Sequence, residues 1–194
     1  MRSLNLACLP LAVALAFASA PAAAQLQPED ASLVPLFLET CTRDGVNAEA
    51  ILAAVTSSPE WTEVPSPTVD VRALGQVPSR LMGGVFRRTD SLRQWHRTVN
   101  GRELTLVIAT LPARSVYRHL CALFAPNIRN AIPYLEAMRD GMRAVSLSGR
   151  STDLPHYQEY GNRLADRRRA HADIFSRSRA LPTPRTMHLA IVFE

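Results

Sequence analysis

Two segments with alternating apolar and polar residues flank Asn100-Gly101 and form the clearest pattern in the chain. Residues 92–99 precede this dipeptide and residues 102–110 follow it. Asn and Gly both tolerate the positive φ angles that a two-residue type I′ turn requires, so the pattern predicts an antiparallel hairpin. One face of this hairpin is apolar and is the predicted core: Trp95, Val99, Leu104, Leu106 and Ile108. His96 falls on the opposite face, which we expect to be exposed.

The first part of the chain after position 31 has helical periodicity. A first helix is predicted from apolar residues at three- and four-residue intervals: Leu33, Leu36, Phe37 and Cys41. Asp44-Gly45 ends this helix, and Asn47 is a suitable N-cap for a second helix over residues 48–56. Residues 59–80 contain four prolines and predict an extended connector, with Trp61 anchored in the core.

Two further helices are predicted nearer the C-terminus. The third begins at Asn127 or Asn130 and runs to about Arg139, where Asp140-Gly141 ends it. Residues 146–153 are rich in Ser and Gly and predict a loop. The polar segment 164–178 is a further helical candidate.

Residues 113–125 fit either a helix or a strand. Their apolar residues form a helical stripe, but a hairpin needs at least one more strand to be stable, so we choose the strand. The apolar run 187–193 predicts a buried, central strand, and residues 84–88 are a weaker strand candidate. The predicted fold is a single α+β domain in which N-terminal and central helices pack on a mostly antiparallel sheet that contains the Asn-Gly hairpin.

Residues 1–24 have the pattern of a cleavable signal peptide. Arg2 precedes an apolar run from position 6 to position 20, and small residues lead up to Gln25. We therefore expect residues 25–194 to form one exported domain, located in the periplasm or secreted. No later apolar run is long enough to cross a bilayer, so no transmembrane segment is expected after cleavage. The chain is 47% hydrophobic and 20% charged, which excludes wholesale disorder.

Cys41 and Cys121 are the two cysteines that follow the predicted signal peptide. In an oxidising compartment an even number of cysteines predicts a disulfide, here closing a loop of 80 residues (121 minus 41). The alternatives are two buried free thiols and a redox pair. A redox pair usually has the C-x-x-C spacing, which is absent.

The main charge concentration is a group of arginines after position 160. Among them, Arg167, Arg168 and Arg169 are a candidate anion-binding site, because guanidinium groups bind phosphate and carboxylate through paired hydrogen bonds. All 22 basic residues of the chain are arginines, and its net charge is +5. The alternative is a solvated helix face. Since the chain is expected outside the cytosol, lipopolysaccharide phosphates or acidic cell-wall polymers are more sensible partners than nucleic acid.

No motif in the sequence predicts catalysis, a metal site or a cofactor. The five histidines lack metal-ligand spacing, and there is no G-x-S-x-G nucleophile motif. The sequence therefore favours a non-catalytic envelope protein that binds a partner protein or an anionic envelope component. The alternative is a hydrolase-like enzyme whose site, including His96 or His156, is assembled only by the fold.

Overall fold

The structure is a computed structural model that describes residues 31–65, 89–128, 132–150, 157–175 and 187–194. The predicted signal peptide, the strand candidate at 84–88 and His156 lie outside these ranges. The described residues form an α+β fold with one eight-stranded antiparallel sheet and a few helices. None of the helices in these ranges is long and apolar enough to cross a membrane.

Two four-stranded meanders make up the sheet, and each of them follows one or more helices in the chain. The helices are α1 (Leu33–Cys41), the short turn α2 (Arg43–Val46), α3 (Ala48–Ser57) and α4 (Leu135–Ala144). The strands are β1 (Thr62–Val64), β2 (Ser91–Val99), β3 (Arg102–Thr110), β4 (His119–Ala125), β5 (Ser148–Arg150), β6 (Tyr157–Arg163), β7 (Arg169–Phe175) and β8 (Met187–Phe193). Their spatial order is β1-β2-β3-β4-β8-β7-β6-β5, so the last strand of each meander lies at the centre.

Asn100 and Gly101 connect β2 to β3, and both have positive φ angles, 51° and 75°. Val99 pairs with Arg102 across this turn, and Trp95 pairs with Leu106 further along. In this register the side chains of alternate residues point to the same face of the sheet. The face that carries Trp95 is the one on which the helices lie.

Helix α1 packs on the centre of this face. Leu33 and Phe37 are fully buried in the main core, and the side chain of Cys41 meets that of Cys121 on β4 at disulfide distance. The two Cα atoms are 5.6 Å apart. Asn47 begins α3, and its side chain accepts a hydrogen bond from the backbone N–H of Ala50 at 3.0 Å. The N-terminal helices are therefore joined to the central strands by apolar packing and by the cysteine pair.

The second face of the sheet is also buried over its central strands, which corrects our expectation of an exposed face; near the Asn-Gly turn the expected exposure holds for Thr98 and Glu103. Val107, Ala109 and Leu120 on this face are 0–2% exposed and belong to a second apolar cluster. Sequence alternation did not reveal it, because small alanines and polar residues such as Gln94 occupy many of its positions. Both faces of the central strands therefore contribute to the stability of the fold.

The helix predicted over residues 164–178 is wrong in its described part, since residues 164–168 form the turn that follows β6 and Arg169–Phe175 is the strand β7. On β7, Ala170, Ala172 and Ile174 face the helices, while His171 and Asp173 alternate with them and are buried on the second face. Because polar residues occupy a buried face, the period of two is hidden in the hydropathy pattern.

Other boundaries also differ from the prediction, and helix α4 begins at Leu135, later than the predicted start at Asn127 or Asn130. The segment predicted as a loop over residues 146–153 contains the edge strand β5. Helix α4 continues through Asp140-Gly141 to Ala144 instead of ending there. Gly141 faces α1 at a point where a Cβ atom would overlap the side chain of Leu38, so this glycine permits close approach of two helices and does not act as a stop.

Candidate functional site

Four of the arginines after position 160, at positions 163 and 167–169, lie together at the turn between β6 and β7. Arg163 is the last residue of β6 and Arg169 the first of β7, while Arg167 and Arg168 lie in the connecting turn. Two backbone hydrogen bonds close the turn: Leu164 N–H donates to the carbonyl of Arg168, and Arg167 N–H to that of Leu164, both at 2.9 Å. A short, internally bonded turn therefore holds the arginines close together.

The side chain of Arg168 connects the β6–β7 turn to the backbone of α2 and of the C-terminal residue. Its guanidinium donates to the carbonyls of Gly45 and Val46, each at 3.0 Å, and of Glu194 at 3.2 Å. The backbone around Gly45 has positive φ angles, so its carbonyls lack the partners that a continuing helix would provide. The Nε of Arg168 also donates to Asp166 at 2.6 Å, and this hydrogen bond lowers the pKa of the Asp166 carboxyl.

Arg163 and Arg169 stand directly opposite each other across the β6–β7 pair. Like charges in this position repel, so the arrangement costs stability unless an anion balances it. Glu194 balances it in part: its carboxylate accepts a hydrogen bond from the backbone N–H of Arg169 at 2.8 Å and lies 3.7 Å from that residue's Nε. Arg163 donates one hydrogen bond, to the carbonyl of Arg167 at 2.9 Å. Two arginines thus face each other, and the Glu194 carboxylate lies beside one of them, Arg169.

These two arginines line a cleft of about 300 Å³ at this end of the sheet, which we call the arginine cleft. The remaining walls are polar or small and come from three elements: Tyr117, Gly161, Asn162, Ala170 and His171. Gly161 pairs with His171 at the back of the cleft. A glycine within a strand often marks a place where a ligand approaches the backbone.

Charge around the arginine cleft extends to the neighbouring strands. The pKa of His119, on β4, lies below its ordinary value because of burial first, and then because of the positive charges of Arg118 and Arg168. Cations therefore raise the electrostatic potential at this end of the sheet beyond the cleft itself. A positive potential in a partly enclosed cleft attracts anions.

The lowered pKa of His119 predicts a pH-dependent stability. Between the folded-state pKa and the ordinary value of 6.5, the unfolded chain binds a proton that the folded chain does not, so stability falls as the pH decreases through this window. We expect the midpoint of thermal unfolding to fall between about pH 7.5 and pH 5, and to fall less in His119→Gln. Equal slopes for the two proteins would contradict this assignment.

His96, the candidate catalytic histidine that the structure describes, lies on β2. Its side chain is 29% exposed, its Nδ1 lies 3.6 Å from a carboxylate oxygen of Glu103, and its Nε2 is 2.8 Å from the amide nitrogen of Gln94. A second histidine, His188, lies 3.3 Å from the carboxylate of Asp173. The side chains of that pair are 3% and 0% exposed. Sequence reasoning missed the pair because its two members are on different strands.

Of the three arginines proposed from the sequence, Arg169 lines the cleft, Arg168 is bound to backbone carbonyls and Arg167 is exposed in the turn. Anion binding by these residues stays a prediction. Arg163, Tyr117 and the other lining residues could be assigned to one site only after the strands had been paired. Within the described ranges, no three side chains of His, Cys, Asp or Glu converge as metal ligands.

Comparison with known proteins gives no independent assignment of this site. No protein-family model, curated protein or solved structure matches the chain.

Proposed function

We propose that this protein is an exported, non-catalytic binding module that holds an anionic component of the cell envelope in the arginine cleft. The observation that carries the proposal is the facing pair Arg163 and Arg169, with the carboxylate of Glu194 beside Arg169. A bound anion would relieve the repulsion that the pair otherwise retains.

The chemistry of the cleft favours phosphate or carboxylate as the recognised group. Guanidinium groups donate two parallel hydrogen bonds to such anions. Asn162 and Tyr117 line the same cleft and carry further polar groups. The cleft volume of about 300 Å³ suits a phosphorylated sugar or another small anionic headgroup. In the envelope these groups occur on lipopolysaccharide and on acidic cell-wall polymers.

Export is part of the proposal. The cysteine pair at disulfide distance is compatible with an oxidising compartment, where such bonds form and persist. The signal peptide predicted at residues 1–24 would direct the chain there.

A hydrolase-like enzyme is the second candidate, and the buried pair His188 and Asp173 favours it. A carboxylate that contacts a histidine is the usual way to orient a general base. However, the near-complete burial of both side chains favours a structural role. Hydrolysis of a chromogenic ester by the purified protein, lost in His188→Gln, would reverse this order of preference.

Binding to isolated envelope material tests the proposal. The exported protein, with its N-terminus expected at Gln25 by mass spectrometry, is mixed with lipopolysaccharide or with peptidoglycan and sedimented. We expect one of the two materials to retain the wild type, and Arg163→Ala/Arg169→Ala to weaken retention by about tenfold or more, since each charged hydrogen bond contributes about 1.5–3 kcal/mol.

A matched control removes the same charge elsewhere. Arg93 and Arg97 lie on β2, four strands from β7 and therefore roughly 19 Å away. The variant Arg93→Ala/Arg97→Ala should bind like the wild type. Equal loss in both double variants would indicate a nonspecific charge effect, and retention of the wild type by neither material would overturn the proposal.

A further inference from the structure

A groove separate from the arginine cleft runs between helix α4 and the edge of the sheet. It consists of two cavities of about 590 and 390 Å³, which share Arg139 and Gly149. Helix α4 forms one wall, and strands β5 and β6 form the floor and the other wall. Because the two cavities share lining residues, they form one continuous surface, which we call the edge groove.

The helix wall of the edge groove is fixed by Tyr160 on β6. Its hydroxyl donates to the carbonyl of Leu135 at the beginning of α4, at a distance of 3.3 Å. Burial raises the pKa of Tyr160 to about 12, so the hydroxyl keeps its proton and remains a donor at neutral pH. The spacing between helix and sheet is thus held by a hydrogen bond and by apolar packing, which makes the groove a preformed surface.

The sheet side of the edge groove ends in β5, which is the last strand of the sheet. Within the described residues no strand pairs with the outer edge of β5. An edge strand presents backbone N–H and C=O groups that can pair with another extended chain. An extended peptide that adds to a sheet edge beneath a helix is an established mode of peptide recognition.

Charge and hydropathy along the edge groove define which peptide fits. One end is apolar, with Leu135 and with Ile132, which is 46% exposed. The other end carries Arg139 and Arg143, whose side chains are 47% and 68% exposed.

The acidic residues that face these arginines come from the same helix. Glu136 lies 3.3 Å from Arg139, and Asp140 lies 3.7 Å from both Arg139 and Arg143. Exposed ion pairs of this kind contribute at most about 1 kcal/mol, so an acidic side chain of a ligand can replace them.

We propose that the edge groove binds an extended peptide segment of a partner protein, which adds to β5 as a ninth strand. An apolar side chain of the peptide occupies the end formed by Ile132 and Leu135, and acidic side chains face Arg139 and Arg143. Backbone pairing with β5 provides affinity, and the two ends of the groove provide the preference for acidic, apolar sequences.

Three synthetic peptides test the proposal by fluorescence anisotropy. The first is the eight-residue peptide Thr-Val-Thr-Val-Thr-Glu-Thr-Glu, whose Val and Glu side chains lie on one face of a strand. The second replaces each Glu by Lys, and the third is the first peptide N-methylated at every residue. We expect the first peptide to bind and the other two to bind at least about tenfold more weakly, because one lacks the charge match and the other lacks donors for β5.

Gly149→Leu blocks the edge groove without straining the backbone. A Cβ atom at this exposed position meets its nearest neighbours, in Gln158 and Tyr160, at the ordinary contact distance of 3.5 Å, and the rest of the side chain extends into the groove. This variant should keep the thermal unfolding midpoint of the wild type and lose binding of the Glu peptide. Arg163→Ala/Arg169→Ala should bind the Glu peptide normally.

Equal binding of the Glu and N-methylated peptides would overturn the β5 pairing, and equal binding of the Glu and Lys peptides would overturn the charge preference. No binding of any of the three would overturn the proposal as a whole. None of these outcomes depends on whether the arginine cleft binds an anion.

Discussion

Replacing Cys41 and Cys121 by alanine is expected to lower the free energy of unfolding by about 4–5 kcal/mol. The bond closes a chain loop of 80 residues, and its loss restores conformational freedom to the unfolded state. Both cysteines are at most 1% exposed, and they join the first helix to the central strand β4. A loss of this size is comparable to the whole net stability of an ordinary domain.

Urea unfolding, with and without a reducing agent, measures this effect. Reduction should destabilise the wild type by nearly the same amount as the double substitution, and should leave the double variant unchanged. If reduction had no effect on the wild type, the cysteines would not be bonded to each other in solution.

Phe37→Ala is expected to cost about 3–5 kcal/mol, the usual range for removing a buried aromatic side chain. Phe37 is 0% exposed and lies at the centre of the core between α1 and the sheet. The midpoint of thermal unfolding should fall by roughly 6–20 °C in a domain of this size.

Glu39→Ala is the matched control, because it changes an exposed residue of the same helix to the residue with the highest helix propensity. We expect it to change stability by less than about 0.5 kcal/mol. A similar loss in both variants would mean that α1 depends on its helical sequence more than on packing against the sheet.

The coarse architecture could be predicted from local patterns in the sequence. The α+β class, the antiparallel sheet and the meeting of Cys41 and Cys121 all agree with the prediction. Within residues 113–125 the strand was the correct choice for His119–Ala125, whereas residues 113–118 precede it as a turn, and the apolar run at the C-terminus is the central strand β8. In these segments, consecutive or alternating apolar residues indicate which side chains are buried.

The second meander could be predicted much less well. Strand β7 buries His171 and Asp173 on one face and alanines on the other, so it lacks the apolar alternation that identifies a strand. Strand β5 has three residues and gains its conformation from pairing with β6. Such strands are defined by their neighbours, and neighbours that are distant in sequence are not visible in a local pattern.

The arginine cleft illustrates the same limit at the level of function. From the sequence, Arg167, Arg168 and Arg169 were predicted to bind an anion because they are adjacent in the chain. In the fold, the pair that faces the cleft is Arg163 and Arg169, whereas Arg168 is bound to backbone carbonyls. Strand register, which places residues six apart opposite each other, decides which arginines can share one anion.

Nuclear magnetic resonance titration with the phosphorylated sugar backbone of lipopolysaccharide, freed of its acyl chains, tests anion binding in the arginine cleft most directly. We predict saturable shifts in the backbone amide signals around the cleft: Asn162, Arg163, Arg169 and His171. Signals from β1 and β2 should stay in place. Absence of any saturable shift, or shifts confined to residues away from β6 and β7, would contradict the account.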